Sequence, residues 1–74
     1  MRWVFQTRRG LAEIVPRNDG WFTLVFDGEA LESHHSAPSA AEALAGGTCA
    51  WPSAGNPAEF GIPEELGEWT KLPS

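Results

Sequence analysis

The sequence predicts an α+β fold: a three- to four-stranded antiparallel meander, one short helix packed on one face, and an irregular C-terminal wrap. Three observations carry this. Turn signals at Arg8-Arg9-Gly10, Arg17-Asn18-Asp19-Gly20 and Asp27-Gly28 cut the first 35 residues into strand-length runs. Within those runs apolar side chains alternate with a period of two. From Ser36 the spacing changes to that of a helix, closed by Gly46-Gly47. With 74 residues the chain is read as one domain, 1–74, with the meander at 1–35, the helix and cap at 36–47, and a wrap with short helical turns at 48–74.

The elements follow in order. Residues 2–7 read as a first strand with Trp3 and Phe5 on one side, both candidate core residues, and Arg2, Val4 and Gln6 on the other. Gly10 supplies the positive φ of a bulge-type turn. Residues 11–16 form a second strand, ending at Pro16, which cannot donate to a ladder. Glu13 marks one of its faces as wet. Residues 21–26 form a third strand with Phe22, Leu24 and Phe26 on one face and Trp21, Thr23 and Val25 on the other, apolar enough on both to lie inside the sheet. Asp27-Gly28 is the strongest hairpin signal. Residues 29–34 then make a polar edge strand, with acidic side chains that discourage further pairing.

Ser39 with Glu42 three residues on reads as a capping box. The helix is expected to end near Ala45, with Ala41, Leu44 and Ala45 facing inward. Residues 48–56 read as an ordered loop tied down by Trp51. Asn56-Pro57 is placed to cap one helical turn, and Ile62-Pro63-Glu64-Glu65-Leu66 is expected to form another. Phe60, Ile62, Leu66 and Trp69 are expected to anchor the wrap.

The composition excludes several classes of protein. The longest apolar run, residues 21–26, falls far short of the roughly 20 residues that cross a bilayer. One Cys cannot form an internal disulfide, and no paired Cys or His motif offers a structural zinc site. Met1-Arg2 followed by three apolar residues lacks the apolar segment of a secretory signal, so a cytoplasmic location is expected. The net charge is −5. Residues 1–17 hold Arg2, Arg8, Arg9 and Arg17 against Glu13, whereas residues 18–74 hold Lys71 against nine carboxylates. That balance disfavours nucleic acid as a general partner, because such binding rests on neutralising phosphates.

The pattern Trp3-x-Phe5-x-Thr7-x-x-Gly10, Ile14-x-Pro16, Gly20-Trp21, Phe26-Asp27-Gly28-Glu29, Ala40-Ala41-Glu42-x-Leu44-Ala45-Gly46-Gly47 and Gly61-Ile62-Pro63-x-x-Leu66-x-Glu68-Trp69 spans nearly the whole chain. It resembles a group of short bacterial proteins of unknown function. The resemblance implies a bacterial, cytoplasmic origin and a shared scaffold, and carries no chemistry. Residues 10–45 alone are similar to AP2-like DNA-binding domains and the arm-binding domains of phage integrases, which lay a three-strand sheet in the major groove. In place of the basic sheet residues of those domains stand Glu13, Asp19, Asp27, Glu29 and Glu32.

Candidate chemistry is sparse. His34-His35 with Cys49 suggests a metal site, but neighbouring strand residues point to opposite faces and no fourth ligand has motif spacing, so no metal and no cofactor is expected. Ser33 and Ser36 beside histidine lack a nucleophile elbow. Glu64, Glu65 and Glu68 read as ordinary first-turn acids. The reading is not an enzyme. Arg2, Arg8, Arg9 and Arg17 form a candidate basic patch for phosphate or an acidic partner. They are equally an ordinary solvated surface.

Four Trp and four Phe exceed what one short helix covers. Either the tail folds over the second sheet face, or an apolar patch stays open for a partner or a second copy. Val4, Trp21, Val25, Trp51 and Trp69 are the candidate contact residues. The leading functional expectation is a small non-catalytic interaction or accessory protein that binds through its sheet face or edge. A nucleic-acid-associated module using the N-terminal arginines is the alternative. A small acidic inhibitor whose carboxylates imitate phosphates is the third.

Overall fold

A computed structural model describes residues 1–73. Five strands, β1 (Arg2–Gln6), β2 (Leu11–Pro16), β3 (Phe22–Phe26), β4 (Glu29–His34) and β5 (Thr70–Leu72), form one antiparallel sheet in the order β4-β3-β2-β1-β5. The helix α1 (Ala37–Gly46) packs on one face, and short 3-10 turns at Pro57–Glu59 and Leu66–Glu68 punctuate the tail. The α+β architecture therefore matches expectation, with one strand more.

Local chemistry sets the turns. Thr7 organises the β1–β2 turn: its amide donates to the Gly10 carbonyl at 3.0 Å, and its hydroxyl oxygen accepts from the amides of Arg9 and Gly10. Gly10 has a φ of +151°, and a Cβ there would lie 2.8 Å from the Cβ of Asp27. The Arg8-Arg9 and Asp27-Gly28 turns thus pack together at one end of the sheet, and only glycine leaves room. Asp27 (φ 52°) and Gly28 (φ 80°) supply the left-handed pair of a two-residue hairpin.

Register decides what is inside. Trp3 pairs with Ile14, Phe5 with Ala12, Ile14 with Leu24 and Ala12 with Phe26, so these side chains share a face. Ala12, Ile14, Leu24 and Phe26 are fully buried there beneath Ala37, Ala40, Ala41, Ala43 and Leu44 of α1. Alanines dominate the helix face, which lets α1 lie close on the sheet. Trp3, Phe5 and Phe22 pack half-buried around this core.

Several expectations are corrected. The helix cap is Ser36, whose hydroxyl accepts from the Ser39 amide, and not Ser39 with Glu42; Pro38 is tolerated in the first turn, where its missing N–H costs nothing. Gly47 closes the helix at a φ of 70°, as anticipated. Trp21 precedes β3, and Thr7 belongs to the turn instead of to β1. The second helical turn falls at Leu66–Glu68, beyond Ile62-Pro63.

The tail does not cover the second face. Phe60 packs on Phe26 with ring centres 5.2 Å apart, and Trp69 packs on Phe5 at 6.1 Å. Both contacts lie on the side already occupied by α1. Beyond Trp69 the chain adds β5 to β1, pairing Arg2 with Leu72 and Val4 with Thr70.

Candidate functional site

With helix, loop and tail on one side, the opposite sheet face is left open. Alternation places Val4, Leu11, Glu13, Val15, Thr23, Val25, Thr70 and Leu72 on it, opposite in sense to Trp3, Ile14 and Leu24. The cross-strand pairs Val4↔Glu13, Glu13↔Val25 and Val25↔Ala30 run across its middle. None of Val4, Leu11, Val15, Val25 or Leu72 belongs to the core or packs against it. Charge on the face is modest, with Arg2 set 3.6 Å from Glu13.

An aromatic and basic group borders one end. Trp21, 37% exposed, lies against His35 with ring centres 3.8 Å apart. Beside them the Arg17 guanidinium donates to the Ser33 hydroxyl at 2.7 Å and pairs with Asp19 at 3.0 Å. A tryptophan and an arginine at the edge of an open face are the residue types that most often anchor protein contacts.

Of the five predicted contact residues, Val4 and Val25 share the open face, one on either side of Glu13, and Trp21 borders one end of it. Trp69 does not join them: it is 5% exposed, and its indole N–H donates to the Pro63 carbonyl within the core layer. Trp51 is 56% exposed but lies beside the helix terminus, its indole N–H donating to the Gly47 carbonyl at 2.8 Å. Leu11 and Val15 were legible from their alternation with Glu13. Leu72 was hidden with its strand.

The predicted basic patch does not assemble. Arg8 and Arg9 lie at the β1–β2 turn, while Arg2 and Arg17 lie at the other end of the strands. Arg9 sits over the Phe60 ring at 5.7 Å, and Arg2 and Arg17 are each engaged by a carboxylate. Antiparallel pairing separates what the sequence places close together.

A second polar group links β4, α1 and the loop at 48–56. One Glu32 oxygen pairs with His34 Nε2, His34 Nδ1 lies 3.0 Å from the Ser39 hydroxyl, and the other Glu32 oxygen accepts from the Ala50 amide at 2.8 Å. Because the carboxylate only accepts, a neutral imidazole carries its proton on Nε2 and accepts a hydrogen bond from the Ser39 hydroxyl at Nδ1. Hydroxyl, imidazole and carboxylate in series are the parts of an activated nucleophile. Next to the Ser39 hydroxyl, the amides of Ser39 and Ala40 are taken by Ser36 and Pro38 has none, so these three positions supply no oxyanion donor. The group is a clasp that joins three segments.

His34 and His35 point to opposite sides, the first into the clasp and the second onto Trp21. Among the described residues no group of three His, Cys, Asp or Glu side chains is arranged to hold a metal ion, and no helix is long and apolar enough to cross a membrane. Cys49 is buried, and burial, with the nearby Glu32 charge, pushes its thiol up from the usual value. No protein-family model, curated protein or solved structure matches this chain.

Proposed function

We propose that this chain is a small non-catalytic interaction protein whose open sheet face takes one amphipathic helix of a partner protein. The observation that carries the reading is the one-sided layering, with Val4, Leu11, Val15, Val25 and Leu72 together on the face that the helix and tail leave bare. Size chooses the occupant. Five strands about 4.8 Å apart and about 3.3 Å per residue give a face of roughly 400 Å², near half of the ~800 Å² per partner in a standard interface. That area is small for two copies meeting face to face and matches one helix, about 10–12 Å across. Arg2 and Arg17 at one end are each already paired with a carboxylate, so the face selects its partner by apolar shape more than by charge.

The nucleic-acid alternative has less support, because the four arginines divide between two ends. So has the acidic inhibitor, because Glu29 and Glu32 accept from the amides of Ser53 and Ala50 and face the chain's own loop. The test is a photo-crosslinking side chain placed at position 25 on the open face or at position 42 on the outer side of α1, in the source cell. A discrete adduct from position 25 alone, mapped to an amphipathic helix of another protein, is expected. Equal adducts from both positions, no adduct, or adducts only between copies of this chain would overturn the proposal.

A further inference from the structure

The clasp between β4 and α1 ends in an exposed hydroxyl. Ser39 is exposed in the first turn of α1, whereas the side chain of His34, which it meets, is only 16% exposed. Both ring nitrogens of His34 are engaged, Nε2 by a Glu32 oxygen and Nδ1 by the Ser39 hydroxyl at 3.0 Å. The ring cannot turn without giving up two bonds. With the ring proton held on Nε2 by the carboxylate, the lone pair of Nδ1 faces the hydroxyl. A base fixed at hydrogen-bond distance from a hydroxyl that solvent reaches is what a serine needs to attack a carbonyl.

Glu32 is fixed in its turn, because its other oxygen accepts from the Ala50 amide at 2.8 Å. Two nearby serines have different partners. The Ser33 hydroxyl accepts from Arg17, and the Ser36 hydroxyl accepts from the Ser39 amide. They serve as controls within the same chain.

We propose that Ser39 is an acyl-acceptor site, which takes the acyl group of a small activated ester, one with a good leaving group such as a thiolate or a phenolate. Ser39 Oγ forms the bond to the acyl carbon and its proton passes to His34 Nδ1. The bond to the leaving group breaks with its electron pair, and the imidazolium returns its proton to the leaving group or to water. Pro38, Ser39 and Ala40 offer no donor to the developing oxyanion, so water solvates it, and only an ester with a good leaving group reacts. The chain is an acceptor of the group and not a turnover catalyst. The resulting ester has no hydroxyl proton, so α1 loses its bond to His34, on the side of the sheet away from the open face.

The probe is p-nitrophenyl acetate, added to the full chain, with phenolate release followed by absorbance and the acetyl groups mapped by mass spectrometry. Loss in neutral hydroxylamine tells acetyl esters from acetylated amines. An ester on Ser39, formed at least about a hundredfold faster than on Ser33 or Ser36, is expected from a positioned base. His34→Gln should remove that advantage. Glu32→Gln tests the carboxylate as a positioning residue. Its amide oxygen keeps the Ala50 N–H, so its amino group meets His34 Nε2 and donates to it. The ring proton should then move to Nδ1, read from the ring nitrogen shifts of His34, and labelling of Ser39 should fall with it. Esters spread evenly over the serines, or none on Ser39, would overturn the proposal. So would a Ser39 rate unchanged in His34→Gln, or unchanged in Glu32→Gln once the ring proton has moved. Phenolate release undiminished in Ser39→Ala would make another group the nucleophile and overturn it as well.

Discussion

Cys49 shows how burial sets the chemistry of a side chain. Its thiol is 8% exposed and titrates above the usual range because the thiolate would lose water and face the Glu32 charge. A group with its folded pKa raised stabilises the fold fully below its unfolded pKa, about 8.5 for a thiol, and that contribution fades as pH climbs through the folded value. Stability of the parent should therefore fall as pH rises above about 8.5, and Cys49→Ala should remove that part of the slope in urea titrations at each pH. In the native protein at pH 7.5, iodoacetamide should label Cys49 at a small fraction of the rate seen in 6 M urea. Ser36 and Ser39 allow an equally local test. Ser36→Ala removes the hydroxyl that accepts the Ser39 amide and should cost about 1 kcal/mol, whereas Glu42→Gln should leave the urea midpoint unchanged. The opposite ranking would restore the cap expected from Ser39 and Glu42.

Strand β4 shows what the sequence revealed and what it withheld. Its limits, Glu29 to His34, and its edge position were legible, because Asp27-Gly28 fixes where the hairpin turns and polar residues mark the rim. The register was not. Between the pairs Val25↔Ala30 and Leu24↔Glu32 the strand carries one extra residue, Leu31, which packs on the core. This irregularity puts Glu29 and Glu32 on the same side, opposite Phe26 and Leu24, where their carboxylates accept from the amides of Ser53 and Ala50. The loop at 48–56 is thus tied down by two glutamates and the buried Pro52 and Cys49, in addition to the Trp51 indole bond to the Gly47 carbonyl. Period-two reasoning cannot see such a shift. Strand β5 was missed for a related reason: three residues, Thr70-Lys71-Leu72, carry no alternation long enough to read, and only pairing with β1 makes them a strand. Glu32→Gln weakens both the amide and the imidazole contacts. It should raise hydrogen exchange at Ala50 by about tenfold or more while leaving β2 amides protected. Unchanged exchange at Ala50 would show that the glutamate does not hold the loop.

For the molecule as a whole, the distribution of aromatic rings corrects the simplest reading of their number. Trp3, Phe5, Phe22, Phe26, Phe60 and Trp69 all gather on the helix side, leaving Trp21 and Trp51 as the exposed pair. A thin core is completed by tail aromatics on the same side as α1, and what remains on the other face is aliphatic and β-branched. The two faces should therefore respond differently to substitution. Leu24→Ala, at a fully buried position, should cost about 2–5 kcal/mol in urea unfolding. Val4→Thr with Val25→Thr on the open face should change stability by less than about 1 kcal/mol, and should lower the crosslinking yield if that face is where a partner sits. A large loss from the open-face pair would mean that those valines belong to the interior. A lamella shielded on one flank only keeps the requirements of folding apart from those of recognition. Its outward pleats form a scaffold on which new specificities can arise by drift or by design, with the sequestered flank left as it is.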